Sequence, residues 1–378
     1  METITTSTVS SDDDHGTATS SDGLILIDWT AEARGLPDFD DHDQIIRVGD
    51  ADSGLKAFIG LHDLTLGPAL GGCRMWPYDN ETEAVTDVLR LSRGMTLKSA
   101  MAGVAAGGGK SVIIGDPKTD KNEALFRAFG RAVARLEGRY ISGEDVGVSV
   151  QDMDWAAKET QHMLGTGARA GDPSPTTAYG VFVGLKAAVR HRLRRDSLDG
   201  VVVAVQGLGH VGFSLCELLH REGAELVVTD IDAAAIERAQ SKFGAKAVAI
   251  EEIYDVDAEV FAPCALGAII NDDTVTRLRV AVVAGAANNQ LFVDRNGETL
   301  KQRRILYAPD YVINAGGLIA LSLELAPEGY SAEKALSLTA RIGDTLAEIF
   351  SRADSEDRPT NVVADSIALE RVRNAASN

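Results

Sequence analysis

Residues 201 to 230 read VVVAVQGLGHVGFSLCELLHREGAELVVTD. The apolar run VVVAVQ predicts a buried strand, and FSLCELLHREG carries the spacing of an amphipathic helix. ELVVTD predicts a second strand. The turn between the first two elements is Gly207-Leu208-Gly209-His210-Val211-Gly212. A GxGxxG turn alone carries little weight, but here a strand precedes it, a helix follows it, and an acid closes the next strand. In that context Gly207 permits the tight turn, Gly209 lets backbone approach a pyrophosphate, and Gly212 lets helix pack on strand. The free amides and dipole of the helix N-terminus would hold the anion. Asp230, 23 residues after Gly207, can accept the ribose hydroxyls and would repel a 2′-phosphate, which favours NAD over NADP. The competing reading is a glycine-rich turn that holds no ligand.

Working outward, VFAPCA, VAVVAGAAN and ILYAPDYVINAGG supply further strands. The alternation of strand and helix predicts a parallel, doubly wound α/β sheet. Residues 176 to 194 predict a helix, and GARAGDPSPTT before it a hinge loop. Residues 23 to 165 mix strands (KAFIGLHDL, SVIIG, RYIS) with helices. The fold expected is α/β with two domains: 23–165 for substrate and oligomerisation, and 166–344 as a Rossmann dinucleotide domain, with a catalytic cleft between. The chain is helical from residue 331 onward, and helices from about 345 to 378 are expected to pack back on the first domain. No internal repeat is visible.

The composition narrows the function classes. Thirty-seven basic against 56 acidic residues give a net charge of −19, which disfavours nucleic acid and anionic membranes. Three widely spaced cysteines, Cys73, Cys216 and Cys264, suit neither a disulfide framework nor a metal site, and fit a reducing, cytoplasmic setting. Residues 1–22 are polar, lack the features of a secretory signal, and predict a disordered tail. No stretch has the length of a membrane span.

AMAGVAAGGGKSVIIGDP, residues 100 to 117, resembles a phosphate loop at first sight. That motif requires glycine six places before the lysine, and position 104 is valine. The β-branched run also follows the lysine where a helix should. Lys110 therefore needs another role, and the glycines around it predict open space above it. From Asn80 a helix is predicted, with Asn80 and Glu83 as a capping box. Ala84, Val88, Leu91 and Met95 form its apolar stripe, and Lys98 continues that stripe. A lysine there needs a partner, loses its charge, or snorkels at the helix end. Asp145 follows the strand RYIS, at the end of the sheet where ligands gather.

These residues resemble the Glu/Leu/Phe/Val amino acid dehydrogenase family. The resemblance runs from about residue 25 to the C-terminal helices. It rests on GPALGGCRMW (67–76), GMTLKSAMAGVAAGGGKSVIIGDP (94–117), GEDVG (143–147), DPSPTTAYGV, QGLGHVG, APCALGAIIND, GAANNQL and YAPDYVINAGG. It implies oxidative deamination of an L-amino acid to the 2-oxo acid and ammonia with reduction of NAD(P). It implies that Lys98, helped by the Gly71 and Gly72 amides, holds the substrate carboxylate. Lys110 would activate the attacking water, and the glycines would clear room for substrate. Asp145 would move protons to and from the amino group. Thr177 and Ala265 would join the turn residues at the cofactor, and Asn288 or Asn289 would position the carboxamide or the substrate amine. A homo-oligomer formed through the first domain is also implied.

The resemblance bears on the substrate. Glutamate enzymes carry a lysine where this chain has Leu70 and a serine where it has Leu321. Two leucines would leave a glutamate charge buried and unpaired, at a high cost. An apolar amino acid is expected. Gly143 and Leu318 are similar to the phenylalanine-type pattern, while other motifs are closer to the leucine and valine enzymes, so the choice among these stays open. The rival of another class is a non-catalytic NAD-binding regulator on the same fold; loss of Lys98, Lys110 or Asp145 would have favoured it. A hydroxy acid dehydrogenase would need a histidine base, and His62, His162 and His210 offer no good candidate.

Overall fold

The computed structural model describes residues 23–167, 172–326 and 329–377. The tail predicted at 1–22, and residues 168–171 of the predicted hinge loop, lie outside the described residues. The first domain comprises β1 (Leu24–Asp28), α1 (Thr30–Ala33), β2 (Gln44–Asp50), β3 (Leu55–Asp63) and β4 (Ala69–Trp76), followed by α2 (Glu81–Ala102), β5 (Gly107–Ile114), α3 (Glu123–Ala134), β6 (Tyr140–Glu144) and α4 (Val150–Ala156). Its sheet has the order β1-β2-β3-β5-β4-β6. The pairs from β1 to β5 are antiparallel, and β4 lies parallel to both β5 and β6.

The second domain opens with α5 (Ser174–Leu193), β7 (Val202–Gln206), α6 (His210–Arg221), β8 (Glu225–Thr229), α7 (Ala233–Phe243) and β9 (Lys246–Ala247). It continues through β10 (Val260–Pro263), α8 (Thr274–Arg277), β11 (Val282–Val283), α9 (Arg295–Gln302) and β12 (Leu306–Tyr307). The chain ends in α10 (Asp310–Ile313), α11 (Gly316–Ser322), α12 (Ala332–Glu356) and α13 (Thr360–Ala376). Its sheet is parallel throughout, in the order β12-β11-β10-β7-β8-β9. The order reverses between β7 and β10, the point where open α/β sheets take their ligands.

Three local readings are corrected. The run ILYAPDYVINAGG forms strand only at Leu306–Tyr307. Pro309 cannot donate to a ladder, and the chain turns there into α10 and α11. The cap of α2 is half of a capping box: the Asn80 side chain accepts from Glu83 N at 3.0 Å, but the Glu83 carboxylate reaches the backbone N of Asp79 rather than that of Asn80. The apolar stripe of α2 also divides in two. Val85, Val88, Leu89, Ser92 and Thr96 are fully buried, whereas Leu91, Met95 and Lys98 are only partly covered and line the interdomain cleft.

The glycines at 107–109 correct a fourth reading. They lie inside β5, not in a loop, and they do not open space for a substrate. A Cβ on Gly108 would sit 2.0 Å from Thr96 Oγ1, and one on Gly107 2.1 Å from Asp63 O. Their small size lets α2 and the end of β3 press against the strand, and so fixes Lys98 and Lys110 relative to each other. Of the C-terminal helices, α13 returns to the first domain, where Arg371 donates to Ala100 O and Met101 O at the end of α2 (3.3 and 3.2 Å), whereas α12 packs mainly on α5 of the second domain.

Candidate active site

Residues 70–74 of β4, Lys110 of β5, the end of β6, the later turns of α2, and α10–α11 of the second domain enclose a cleft of about 400 Å³. Lys110 is the fourth residue of β5, and its side chain is almost wholly buried. Its Nζ lies 3.0 Å from Asp145 Oδ2, just beyond β6. The same oxygen accepts from Arg74 Nε at 3.0 Å, and Arg74 is held in turn by Asp87 at 2.9 Å. Asp87 also accepts from the Tyr78 hydroxyl at 2.5 Å. Burial pushes the Asp145 carboxyl up, but Lys110 and Arg74 outweigh burial and hold it below its ordinary value. The Asp145 carboxylate and Lys110 Nζ thus face each other at 3.0 Å, within reach for a proton to pass between them.

Lys98 sits one helical turn beyond Met95. Its Nζ crosses to the second domain and donates to Asn314 Oδ1 at 2.7 Å. Burial lowers the ammonium to about 8; Lys110 acts in the same direction, while Asp310 and Asp145 oppose it. Asn314 Nδ2 continues the chain to Asn288 Oδ1 (2.7 Å) and Ala286 O (3.0 Å). Asp310, whose carboxyl burial raises, accepts from Gln290 N at 2.8 Å and Tyr311 N at 2.6 Å. Asn289, beside it, adopts a left-handed backbone (φ 50°) and lines the cleft.

Gly71, Gly72, Leu70 and Gly143 lie on the first-domain wall, and Thr177, Val211, Asn288, Asn289, Leu318 and Leu321 on the other. Gly71 is required by close approach, since a Cβ there would meet Gly109 O at 1.7 Å. Leu70, Leu318, Leu164, Ile141 and Ala106 form one apolar cluster, with Met95 and Leu321 packed against it. Leu70, Met95, Leu164, Leu318 and Leu321 line the same cleft as the ionic groups and bring no charge of their own.

The remaining turn residues, Gly207, Leu208, Gly209, His210 and Gly212, with Asp230 and Ala265, lie next to this cleft rather than lining it. Gly207 has φ 99° and would collide with Ala265 if it carried a Cβ, so the ends of β7 and β10 touch at the switch point. A Cβ on Gly212 would lie 2.0 Å from Gly207 O, and one on Gly209 would meet nothing within 4 Å. The start of α6 has no side-chain cap, leaving its first amides for a ligand. Asp230 Oδ2 accepts from Leu208 N at 2.5 Å, so the acid braces the turn. The His210 ring is exposed and lies 3.5 Å from Asp172. Among the described residues no group of three or more His, Cys, Asp and Glu is arranged to hold a metal, and no helix is long and apolar enough to cross a membrane.

The family model for the Glu/Leu/Phe/Val dehydrogenase dimerisation domain matches residues 42–162, and that for glutamate/leucine/phenylalanine/valine dehydrogenase matches residues 231–378. The chain belongs to the Glu/Leu/Phe/Val dehydrogenase family. Leucine dehydrogenase of Thermoactinomyces intermedius is 53% identical over 335 residues, covering 88% of this chain and 91% of that protein. Phenylalanine dehydrogenase of Caldalkalibacillus thermarum is 48% identical over 344 residues, covering 89% and 92%. The crystal structure of L-tryptophan dehydrogenase from Nostoc punctiforme superposes with a TM-score of 0.81 at 44% identity, covering 89% of this chain and 98% of that one. The chain is accordingly an amino acid dehydrogenase, an oxidoreductase of a nicotinamide-dependent family.

Within this family member, sequence reasoning missed Arg74, Asn314, Asp310, Met95 and Leu164. Arg74 and Asn314 stand inside quoted motifs, GPALGGCRMW and YAPDYVINAGG, so the signal was present. Their partners Asp145 and Lys98 are 71 and 216 residues away, and that distance hid the role.

Proposed function

We propose that this enzyme catalyses the reversible, NAD-dependent oxidative deamination of an apolar L-amino acid of the leucine, phenylalanine or valine type. The observation that carries the reading is the pairing, in one cleft, of the Lys98–Lys110–Asp145 set with a side-chain subsite built from Leu70, Leu164, Leu318 and Leu321. A glutamate side chain there would bury a carboxylate without a partner. The relatives named for leucine, phenylalanine and tryptophan support an apolar or aromatic substrate. Asp230 supports NAD, because a 2′-phosphate would meet its carboxylate. The matched dimerisation domain supports a homo-oligomer.

In this reading Lys98 holds the substrate carboxylate, and the apolar cluster takes the side chain. NAD would be held along the glycine turn and would supply the hydride acceptor. Asn288 and Thr177 would hold its carboxamide end, and Asn289 the substrate amine. Lys110 removes a proton from the water that attacks the iminium carbon. Asp145, set by Arg74, takes that proton from Lys110 and passes it to the departing nitrogen, and the neutral Lys110 amine accepts the hydroxyl proton as the carbinolamine collapses to the 2-oxo acid and ammonia. Closure of the cleft keeps bulk water out.

Lys110→Ala tests the assignment. A positioned base contributes roughly 10²–10⁴-fold, so kcat should fall by that order while NADH affinity, measured by fluorescence titration, stays the same. Near-normal turnover at neutral pH would remove Lys110 from this role.

A further inference from the structure

A second cavity, of about 610 Å³, lies behind the Rossmann sheet. It is framed by the end of α5, by α9 and β12, and by the turn between α12 and α13. It shares no lining residue with the catalytic cleft. Its rim is strongly basic in a chain whose net charge is −19. Arg192, Arg194, Lys301, Arg304 and Arg358 line it, together with His191, against only two carboxylates, Asp354 and Asp357.

Those two acids are already engaged. Asp354 pairs with His191 at 2.9 Å and Asp357 with Lys301 at 2.9 Å. Arg358 is held by Glu356 at 2.6 Å. Three guanidiniums are left without a carboxylate among the described residues. Arg192 donates only to Arg304 O at 2.6 Å, and the side chains of Arg194 and Arg304 have no hydrogen bond or ion pair. Arg194 and Arg304 also both sit at left-handed backbone positions (φ 57° and 61°), which non-glycine residues adopt at some cost.

Basic residues at a helix C-terminus complement its dipole, and this explains Arg190, His191 and Arg192 in the last turn of α5. Arg304, just past the C-cap of α9, comes from another element and lines the same space, so two helix ends point their cations at one cavity. Clustered cations without a counter-charge repel each other. The floor is apolar, from Ile305, Leu306, Ala353 and Pro359, with Tyr307 beside them. The N-terminus of α13 opens on the same space with no side-chain cap.

We propose that this cavity binds a small phosphorylated molecule carrying more than one phosphate, held by Arg192, Arg194 and Arg304 through charge-assisted hydrogen bonds. It is a site distinct from the dinucleotide turn, and it does not depend on which amino acid the enzyme oxidises.

The probe is inorganic tripolyphosphate, titrated calorimetrically into the full-length enzyme at low salt. Saturating NAD keeps the glycine turn filled. One tripolyphosphate should bind per chain, more weakly as salt rises. The double variant Arg194→Ala/Arg304→Ala should weaken binding by roughly tenfold or more. Arg190→Ala should leave it unchanged, because Arg190 is paired with Asp196 and lies outside the cavity. Both sites of change in the double variant are exposed, and KM for NAD and for the amino acid should match the wild type. The proposal is overturned if tripolyphosphate does not bind at millimolar concentration. Equal affinity in the double variant overturns it, and so does an equal loss in Arg190→Ala, which would reduce the effect to surface charge.

Discussion

Gly143→Ala separates a pocket wall from a backbone requirement. Gly143 is in β6, opposite Gly72 of β4, and lines the cleft. Its φ lies outside the left-handed region. A Cβ built there approaches only Leu164, at 3.7 Å from its O and 3.8 Å from its Cβ, which is ordinary contact. The fold should therefore accept the methyl. Gly→Ala at a compatible backbone stabilises by roughly 0.4–1 kcal/mol, so the melting temperature should hold or rise slightly. The methyl instead enters a cleft of about 400 Å³ that must hold the whole amino acid. One methylene changes discrimination by about 1–3 kcal/mol, or roughly 10–200-fold. A phenylalanine ring fills the subsite more completely than a leucine tail and meets the methyl first. We expect kcat/KM for phenylalanine to fall at least about tenfold, and that for leucine by no more than about threefold. The assay is the initial rate of NADH formation with each substrate, alongside a thermal melt. A melting temperature that falls, or an equal loss on both substrates, would refute the reasoning and make Gly143 a structural requirement beside Asp145.

Two further outcomes follow from the ionic groups. Lys98, lowered to about 8 by burial, is charged below that pH and neutral above it. KM for the 2-oxo acid, which has no titrating amino group, should be flat below about pH 8 and rise up to tenfold per pH unit above it; a flat profile well past that point would contradict the carboxylate-anchor role. Arg74→Ala removes one of the two cations that hold the Asp145 carboxyl low, so the acidic limb of the kcat profile should move to higher pH and kcat should drop by roughly tenfold, part of the 10²–10⁴ a positioned acid–base group supplies. Arg74→Lys should restore part of both, and an unmoved limb in Arg74→Ala would show that Arg74 is only structural.

What could be read from sequence was what is local. The GxGxxG turn, its flanking strand and helix, and Asp230 occupy 30 consecutive residues, and each constrains the next. The parallel second sheet followed from that alternation. The glycines at 107–109 misled because their reason is tertiary: the end of β3, Thr96 of α2 and Tyr140 of β6 occupy the space beside Gly107, Gly108 and Gly109 in turn. β11 and β12 are only two residues each, too short to show a period, so the run around Asp310 passed for strand when most of it is helix. The Lys98–Asn314–Asn288 chain spans both domains, and no periodicity links residues 216 positions apart. Leu70 and Leu321 stood out only through the family resemblance, and Leu164 joined them only when the fold brought it to β6.

The central claim is that a dehydrogenase site with an uncharged side-chain subsite acts with NAD. The measurement that tests it most directly is a panel of initial rates on the purified enzyme: leucine, phenylalanine, valine, glutamate and aspartate, each with NAD and with NADP at equal concentration. At least one of the three apolar amino acids should be turned over far faster than glutamate, aspartate should be inert, and NAD should outperform NADP. A preference for glutamate would contradict the reading of Leu70 and Leu321, and equal or greater activity with NADP would contradict that of Asp230.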